Sequence, residues 1–210
     1  MAINATSSGT TRELIPAGNY VARCYQMIEI GTVTELIMGT QKRLHKVRIG
    51  WELPDETRVF DPAKGEQPLV ISKEYTLSMH EKSNLRMDLK SWRGKDFTED
   101  EAKCFDITKL IGVPCMLNII HRPAKSDPSR VYEQISGITP LPKSVKCADP
   151  VNPVMVLSYD NFDAALFNSL PDFLKQKIQS SEEYAALQSP QSRTIDEPES
   201  IGEPVDDLPF

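Results

Sequence analysis

Cations and tyrosines recur at two-residue spacing in the first half of the chain, which places them on a common face of a β-strand. Three predicted strands contribute Arg23, Tyr25, Lys46, Arg48, Lys73 and Tyr75. Cations can neutralise the phosphates of a single-stranded nucleic acid, and aromatic rings can stack on its bases, each stack contributing roughly 1–3 kcal/mol. The pattern therefore fits nucleic-acid binding. It also fits an ordinary solvated strand face, and either tyrosine could equally lie in the core.

A second group of candidates lies around a predicted helix and includes both tryptophans. The basic residues there either extend a phosphate track or form a solvated face, and they are Lys82, Arg86, Lys90, Arg93 and Lys95. Trp51 alternates with Ile49 on an apolar strand face, and Trp92 lies at helical spacing from Leu89. Both patterns favour a core position. Both rings nevertheless stay candidates for base stacking.

Sequence signatures of catalysis are absent from the chain. It has no G-x-x-x-x-G-K-[ST] phosphate loop, no G-x-S-x-G elbow and no H-E-x-x-H zinc helix. Its four cysteines contain no C-x-x-C pair, and its three histidines are distant from them in sequence. The stretch TEDE at 98–101 could hold a metal for nuclease chemistry, but acids in the first turn of a helix explain it better. We therefore expect no enzyme activity, cofactor or metal.

Charge divides the chain into two unequal parts. Residues 1–150 carry 21 Lys and Arg against 19 Asp and Glu, a net charge of +2, whereas residues 151–210 carry 3 against 11, a net charge of −8. The overall charge of −6 therefore does not describe the first 150 residues. No apolar run approaches the ~18 residues of a membrane-spanning helix, and the polar N-terminal segment lacks the hydrophobic region of a signal peptide. We expect a cytoplasmic protein without membrane contact.

The hydrophobic pattern predicts the strands that would position these residues. Periodicity and β-forming composition indicate strands at 18–30, 45–53, 69–79, 113–121 and 130–142. The intervening segments 31–43 and 54–68 carry turn-forming residues and are expected to be loops, with Pro54 ending the second strand.

Helical spacing appears between the third and fourth predicted strands. A helix is expected over 81–94 with Gly94 as its C-cap, and a second short helix within 96–112 begins with a capping box of Thr98 and Glu101. The resulting order β-β-β-α-β-β is that of the OB-fold. In this mainly β architecture, five strands form a Greek-key barrel, here with a helix between strands three and four.

The remaining chain differs in composition, so four parts are predicted. They are a polar arm at 1–14, an OB-fold DNA-binding domain at 15–150, a helical extension at 151–187 and an acidic tail at 188–210. The extension keeps apolar residues at helical spacing. The tail holds four prolines, six acids and one base. Such a composition cannot bury enough apolar surface to fold, so the tail is expected to be disordered.

Five stretches carry a resemblance to a known family. They are IPAGNYVARCYQMIEIGT (15–32), KVRIGWELP (46–54), LVISKEYTLSMHEKSNLRMDLKSWRGKDFT (69–98), PCMLNIIH (114–121) and LPDFLKQKIQSSEEY (170–184). Together they resemble the OB-fold single-stranded-DNA-binding proteins of bacteriophage replication modules. The resemblance implies a protein that protects single-stranded DNA without sequence specificity during replication, recombination or repair. It also implies possible self-association on DNA and a location in the cytoplasm of a bacterial host.

The last five residues, DDLPF, resemble the acidic tip of bacterial single-stranded-DNA-binding proteins, which end in acids followed by an aliphatic residue, proline and phenylalanine. In that family the tip recruits replication, recombination and repair proteins. The resemblance implies a docking peptide formed by Asp206, Asp207, Leu208, Pro209 and Phe210. Its acids suit a basic rim, and its terminal ring suits an apolar pocket. The likeness to the bacterial family is confined to this tip, because residues 154–187 read as helical and not as a long linker.

Two other functions stay open at this point. An OB-fold adaptor or recombination mediator would mainly bind protein, and its DNA affinity would be incidental. A metal-dependent nuclease would use the acids at 98–101. Equal affinity for duplex and single strand, or none, would favour the adaptor, and magnesium-dependent cleavage would favour the nuclease.

Overall fold

The fold is built on one six-stranded sheet, which the computed structural model describes within residues 13–124 and 127–189. The strands are β1 (Gly18–Ile37), β2 (Thr40–Asp61), β3 (Gly65–Thr76), β4 (Pro114–Pro123), β5 (Val131–Pro140) and β6 (Met155–Leu157). The helices are α1 (Asn84–Arg93), α2 (Glu99–Lys103), α3 (Ala164–Ser169), α4 (Asp172–Gln179) and α5 (Glu182–Leu187), and a 3₁₀ turn spans Ile107–Leu110. The prediction of a mainly β protein is confirmed.

The main path of the sheet runs in the order β3-β2-β1-β4-β5, with antiparallel neighbours throughout. The short β6 pairs with β1 in the parallel sense, beyond the end of the β1–β4 ladder. Within the described part of the chain, no ladder joins the edge strands β3 and β5, so the sheet is not closed. One side-chain contact spans these edges, since Lys73 Nζ donates to the carbonyl oxygen of Ile135 at 3.5 Å. The hydrogen-bonded ring of a closed barrel is therefore not formed.

The first hairpin is longer than the sequence predicts. The β1–β2 ladder continues to the pair Ile37 and Thr40, and the turn is made by Met38 and Gly39, both with positive φ. The two glycines of the segment 31–43 predict a loop, and this prediction is wrong for most of the segment. The first of these, Gly31, instead lies at a register shift with φ of 91°, where a Cβ would lie 2.8 Å from the Cβ of Ser181. Glycine is required there by close packing, and the strand continues past it.

The prediction that Pro54 ends the second strand is wrong. Strand β2 continues to Asp61 and pairs with β3 as far as Gly65. A register shift between Leu53 and Thr57 separates the two parts of the ladder and contains the proline. Because a bulge releases residues from pairing, the missing N–H of proline breaks no ladder bond there. The segment 54–68 is thus largely a projecting hairpin arm.

The two helices between β3 and β4 confirm the predicted caps. In α1, the Ser83 side chain accepts a hydrogen bond from the backbone N–H of Arg86, and Gly94 ends the helix with φ of 70°. In α2, the Thr98 side chain and the Glu101 side chain form a reciprocal capping box. Both signals act locally, so they are readable without knowledge of the tertiary structure.

Two hydrophobic cores lie on opposite faces of β1. The first is formed by α1 and the inner face of the sheet, with Trp51, Leu89 and Leu117 among its members. The second is formed by the outer face of β1 and the helices α3–α5, and it includes Ile28, Ile30, Leu157, Phe167, Leu170, Leu174 and Ile178. Strand β1 therefore places buried apolar residues on both faces, with Cys24 and Met27 in the first core and Ile28 and Ile30 in the second. Among the described helices, none is long and apolar enough to span a membrane.

Candidate nucleic-acid interface

A groove of about 510 Å³ runs between the outer face of β2–β3 and helix α4. Its floor includes Val70 and Ser72 of β3, and Pro171 and Leu174 belong to the α4 side. The side chains in it that could engage a nucleic acid are Tyr25, Arg48, Arg58, Phe60 and Phe173. The groove brings together two guanidinium groups and three aromatic rings, which are the types that backbone and base contacts require.

Phe60 and Phe173 leave more than half of their surface in solvent, with exposed fractions of 60% and 56%. Tyr25 is half-buried, and it occupies the register shift between Cys24 and Gln26 in β1. Its neighbour Cys24 is buried in the first core, so the alternation of β1 directs Tyr25 to the outer face and the groove. Burial, followed by the nearby carboxylate of Glu52, raises the pKa of Tyr25, so its phenol stays neutral and can donate a hydrogen bond.

The two arginines of the groove each face one carboxylate. The Arg48 guanidinium lies 5.4 Å from the centroid of the Phe173 ring, and its Nη1 lies 3.6 Å from Glu74 Oε1. Arg58 donates to the carbonyl oxygen of Glu13 at 2.9 Å, and its Nη2 lies 3.3 Å from Glu13 Oε2. Partly exposed ion pairs of this kind contribute little free energy. A phosphate can therefore replace either carboxylate as the partner of the guanidinium.

Local structure explains why the groove contains Arg48, Phe60 and Phe173. Arg48 lies between Val47 and Ile49, which are buried in the first core, so the alternation of β2 directs Arg48 to the outer face. Phe60 follows the Pro54 bulge and lies on the projecting arm. Phe173 directly precedes Leu174, which is buried in the second core, so α4 holds the ring at the groove while its other side packs on β1.

Three of the aromatic candidates from the sequence lie in the first core. The exposed fractions of Trp51, Tyr75 and Trp92 are 0%, 3% and 4%. The two tryptophan rings lie 5.9 Å apart between centroids, and Trp92 Nε1 donates to the carbonyl oxygen of Pro114 at 3.2 Å. Tyr75 donates to Asp88 Oδ2 at 2.8 Å, and burial together with this carboxylate raises its pKa. None of these rings offers a face to a base, so we remove all three from the candidate interface.

Four of the cationic candidates are engaged in structural contacts. Arg86 is buried and donates to the carbonyl oxygens of Met79 and Phe97. Lys73 contacts Asp88 Oδ2 at 2.6 Å, on the inner side of the sheet.

The other two structural cations lie on β1 and β2. Arg23 donates to the carbonyl oxygens of Gly112 at 2.9 Å and Ala148 at 2.8 Å. Lys46 contacts Glu35 at 2.7 Å.

Lys82 is exposed and lines a separate polar pocket near the start of α1. Of the ten positions singled out from the sequence, only Tyr25 and Arg48 lie together in the groove.

Arg58, Phe60 and Phe173 were missed by sequence reasoning. The first two fall in a segment that its proline and polar residues suggest to be a loop. The signal for Phe173 was available, because Leu174 and Ile178 define the buried stripe of α4 at i, i+4 spacing. Phe173 lies next to that stripe and not on it, which indicates an exposed ring.

The acids at 98–101 have structural partners in and around α2. Glu99 contacts Arg86 at 3.2 Å, and Glu101 contacts Arg93 at 3.0 Å while accepting from the N–H of Thr98. Among the residues that the structure describes, no group of three or more histidine, cysteine or acidic side chains could hold a metal ion. The cap of α2 accounts for this acidic cluster.

The proposed docking tip, Asp206–Phe210, lies outside the described residues. Comparison with protein-family models, with curated proteins and with solved structures finds no match to this chain.

Proposed function

We propose that this protein binds single-stranded DNA without sequence specificity and that the groove beside α4 is its binding site. The observation that carries the proposal is the meeting of Arg48, Arg58, Phe60 and Phe173 in one groove. Arginines contact phosphates, which every nucleotide has, and phenylalanine rings stack on any base. An interface that combines phosphate contacts with base stacking binds a DNA single strand with little dependence on its base sequence.

The strand arrangement supports an OB-fold as the scaffold of this site. The sheet order β3-β2-β1-β4-β5, with α1 between β3 and β4, fits a five-stranded Greek-key barrel that is open between β3 and β5. In OB-folds the ligand lies across the second and third strands and the neighbouring loops. The groove occupies that surface of β2 and β3. A role in a phage replication or recombination module is the biological setting that we propose, on the strength of the sequence resemblance.

Partner recruitment through the last residues is a further part of the proposal. The stretch from Asp206 to Phe210 combines acids with a terminal aromatic residue, and such peptides bind basic rims that surround apolar pockets. Replication, recombination or repair proteins are the expected partners. Self-association along the DNA is also expected from the family resemblance.

The test is binding of a labelled oligo-dT at several salt concentrations. If Z phosphates are contacted, the slope of log K against log salt is about −0.7Z. Because Trp51 and Trp92 are buried, their fluorescence does not report stacking directly, so anisotropy of the labelled strand is the better readout. The proposal would be contradicted by a binding constant that does not change with salt concentration, or by equal affinities for duplex and single-stranded DNA.

Deleting residues 203–210 separates the two activities. We expect the truncated chain to bind DNA as well as or better than the full chain, because a competing negative charge is removed. Its binding to host replication proteins should be lost. A truncation that destroys DNA affinity would show that the tip belongs to the DNA site.

One observation favours the adaptor alternative. The tip of the β1–β2 hairpin exposes Leu36 and Met38 to solvent, and Met38 adopts a positive φ of 50°. Exposed apolar residues on a projecting hairpin are typical of protein contacts. Replacing both with serine separates the functions, since an adaptor would lose its partner while a DNA-binding protein would keep its affinity for oligo-dT.

A further inference from the structure

The helical extension forms one side of the groove, and its position is fixed by contacts with the sheet. Leu174 and Ile178 of α4 are buried in the second core. Lys177 pairs with Glu74 of β3, and its Nζ lies 3.8 Å from Glu35 of β1. Apolar packing and ion pairs thus attach α4 to two strands at once. These contacts fix the position of α4 relative to the groove.

Phe173 is the α4 residue whose aromatic ring lines the groove. Its neighbour Leu174 is buried, yet more than half of the Phe173 side chain is exposed. Glu74 lies at the same place, because its carboxylate contacts both Lys177 of α4 and Arg48 of β2. The ring and the Arg48 guanidinium are consequently held side by side, one from the extension and one from the sheet.

We propose that Phe173 makes the groove select unpaired DNA over duplex DNA, so that the extension determines substrate class. This inference rests on the proposed function. A base in a single strand can place its face on the Phe173 ring while its phosphate pairs with Arg48. A base inside a duplex already has both faces covered by its neighbours, so only its phosphates are accessible to the site. Arg48 contacts either substrate, and Phe173 contacts the single strand alone.

The experiment compares Phe173→Ala with Phe173→Trp in the full chain. Dissociation constants are measured at one salt concentration for labelled oligo-dT and for a labelled blunt-ended duplex with the same number of phosphates. We expect Phe173→Ala to weaken oligo-dT binding by about 5- to 150-fold, the range that corresponds to the loss of one base stack. Duplex affinity should stay within about 2-fold, because phosphate contacts are unchanged. Phe173→Trp should keep the preference for single strands.

The matched control is Met87→Ala, which removes a comparably exposed apolar side chain from helix α1. It should leave both dissociation constants unchanged. Unchanged duplex affinity in Phe173→Ala also shows that the variant is folded, and a merely structural role of the ring would change both constants together. The inference is overturned if Phe173→Ala keeps the wild-type ratio of single-strand to duplex affinity. A wild-type protein that fails to bind oligo-dT overturns the proposed function itself, and this outcome is distinguishable from the first.

Discussion

Replacing Arg48 with alanine measures directly how much of the phosphate contact lies in the groove. Each phosphate neutralised on a single strand adds about 0.7 to the magnitude of the log–log salt slope. Loss of one contact should therefore reduce that magnitude by about 0.7 and, at 0.1 M salt, lower the affinity about 5-fold, or about 1 kcal/mol. The 3.6 Å contact with Glu74 must be given up when a phosphate binds, so the measured loss should not exceed this value.

Arg58→Ala should produce a similar change, and the double variant should reduce the slope by about 1.4, because the two guanidiniums contact different carboxylates and act independently. Arg48→Lys should keep the slope, since it keeps the charge. Lys103→Ala is the control, because Lys103 is an exposed cation on α2, outside the groove. The assay is anisotropy of labelled oligo-dT at salt concentrations between about 0.05 and 0.3 M, from which the log–log slope is determined. Slopes of the arginine variants that equal the wild-type slope would refute the groove as the phosphate track.

Two further predictions concern the extension that carries α4. Leu174→Ala should lower the free energy of unfolding by about 2–5 kcal/mol, because it leaves a cavity in the second core, and urea denaturation measures this loss. Glu183 is partly buried, which acts to raise its pKa, but hydrogen bonds from Thr32 lower the pKa overall. Its stabilising contribution is complete above its ordinary pKa of 4.5 and is lost as the pH falls through the lower folded-state pKa. Thermal melts from pH 7 to 3 should show a smaller loss in Glu183→Gln than in the wild type.

The parts of the fold that local signals encode were predictable from the sequence. The alternation that placed Val47, Ile49 and Trp51 on one face of β2 is confirmed by their burial, and the caps of α1 and α2 are where the sequence indicates. Loop composition wrongly predicts loops at Gly31 and Pro54. Each is a turn-forming residue that the structure uses at a register shift inside a strand. Such shifts depend on the neighbouring strand, and a single sequence does not show which strand that will be.

The candidate site was harder to predict for the same reason. A two-residue period separates the side chains of a strand into two faces, but it does not show which face packs against the rest of the protein. Lys73 and Tyr75 do share a face, and that face is the inner one, because β3 packs against α1 there. Tyr25 is the exception, because it alternates with the buried Cys24 and therefore lies on the outer face, as its two-residue spacing from Arg23 indicates. Phe60 depends on a strand that continues past a proline, so its exposure follows from tertiary structure alone.

Strand β1 contributes to both cores, and this has a consequence for how the molecule unfolds. Ile28 and Ile30 are covered by the extension, whereas Met27 is covered by the inner core. Detaching α3–α5 would place the two isoleucines in water, at a cost of about 1.5–3 kcal/mol for each side chain. The extension is therefore expected to open rarely on its own and to melt together with the sheet in a single cooperative transition. The groove, which lies between β2–β3 and a helix that packs on this shared strand, keeps its shape for as long as the whole unit stays folded.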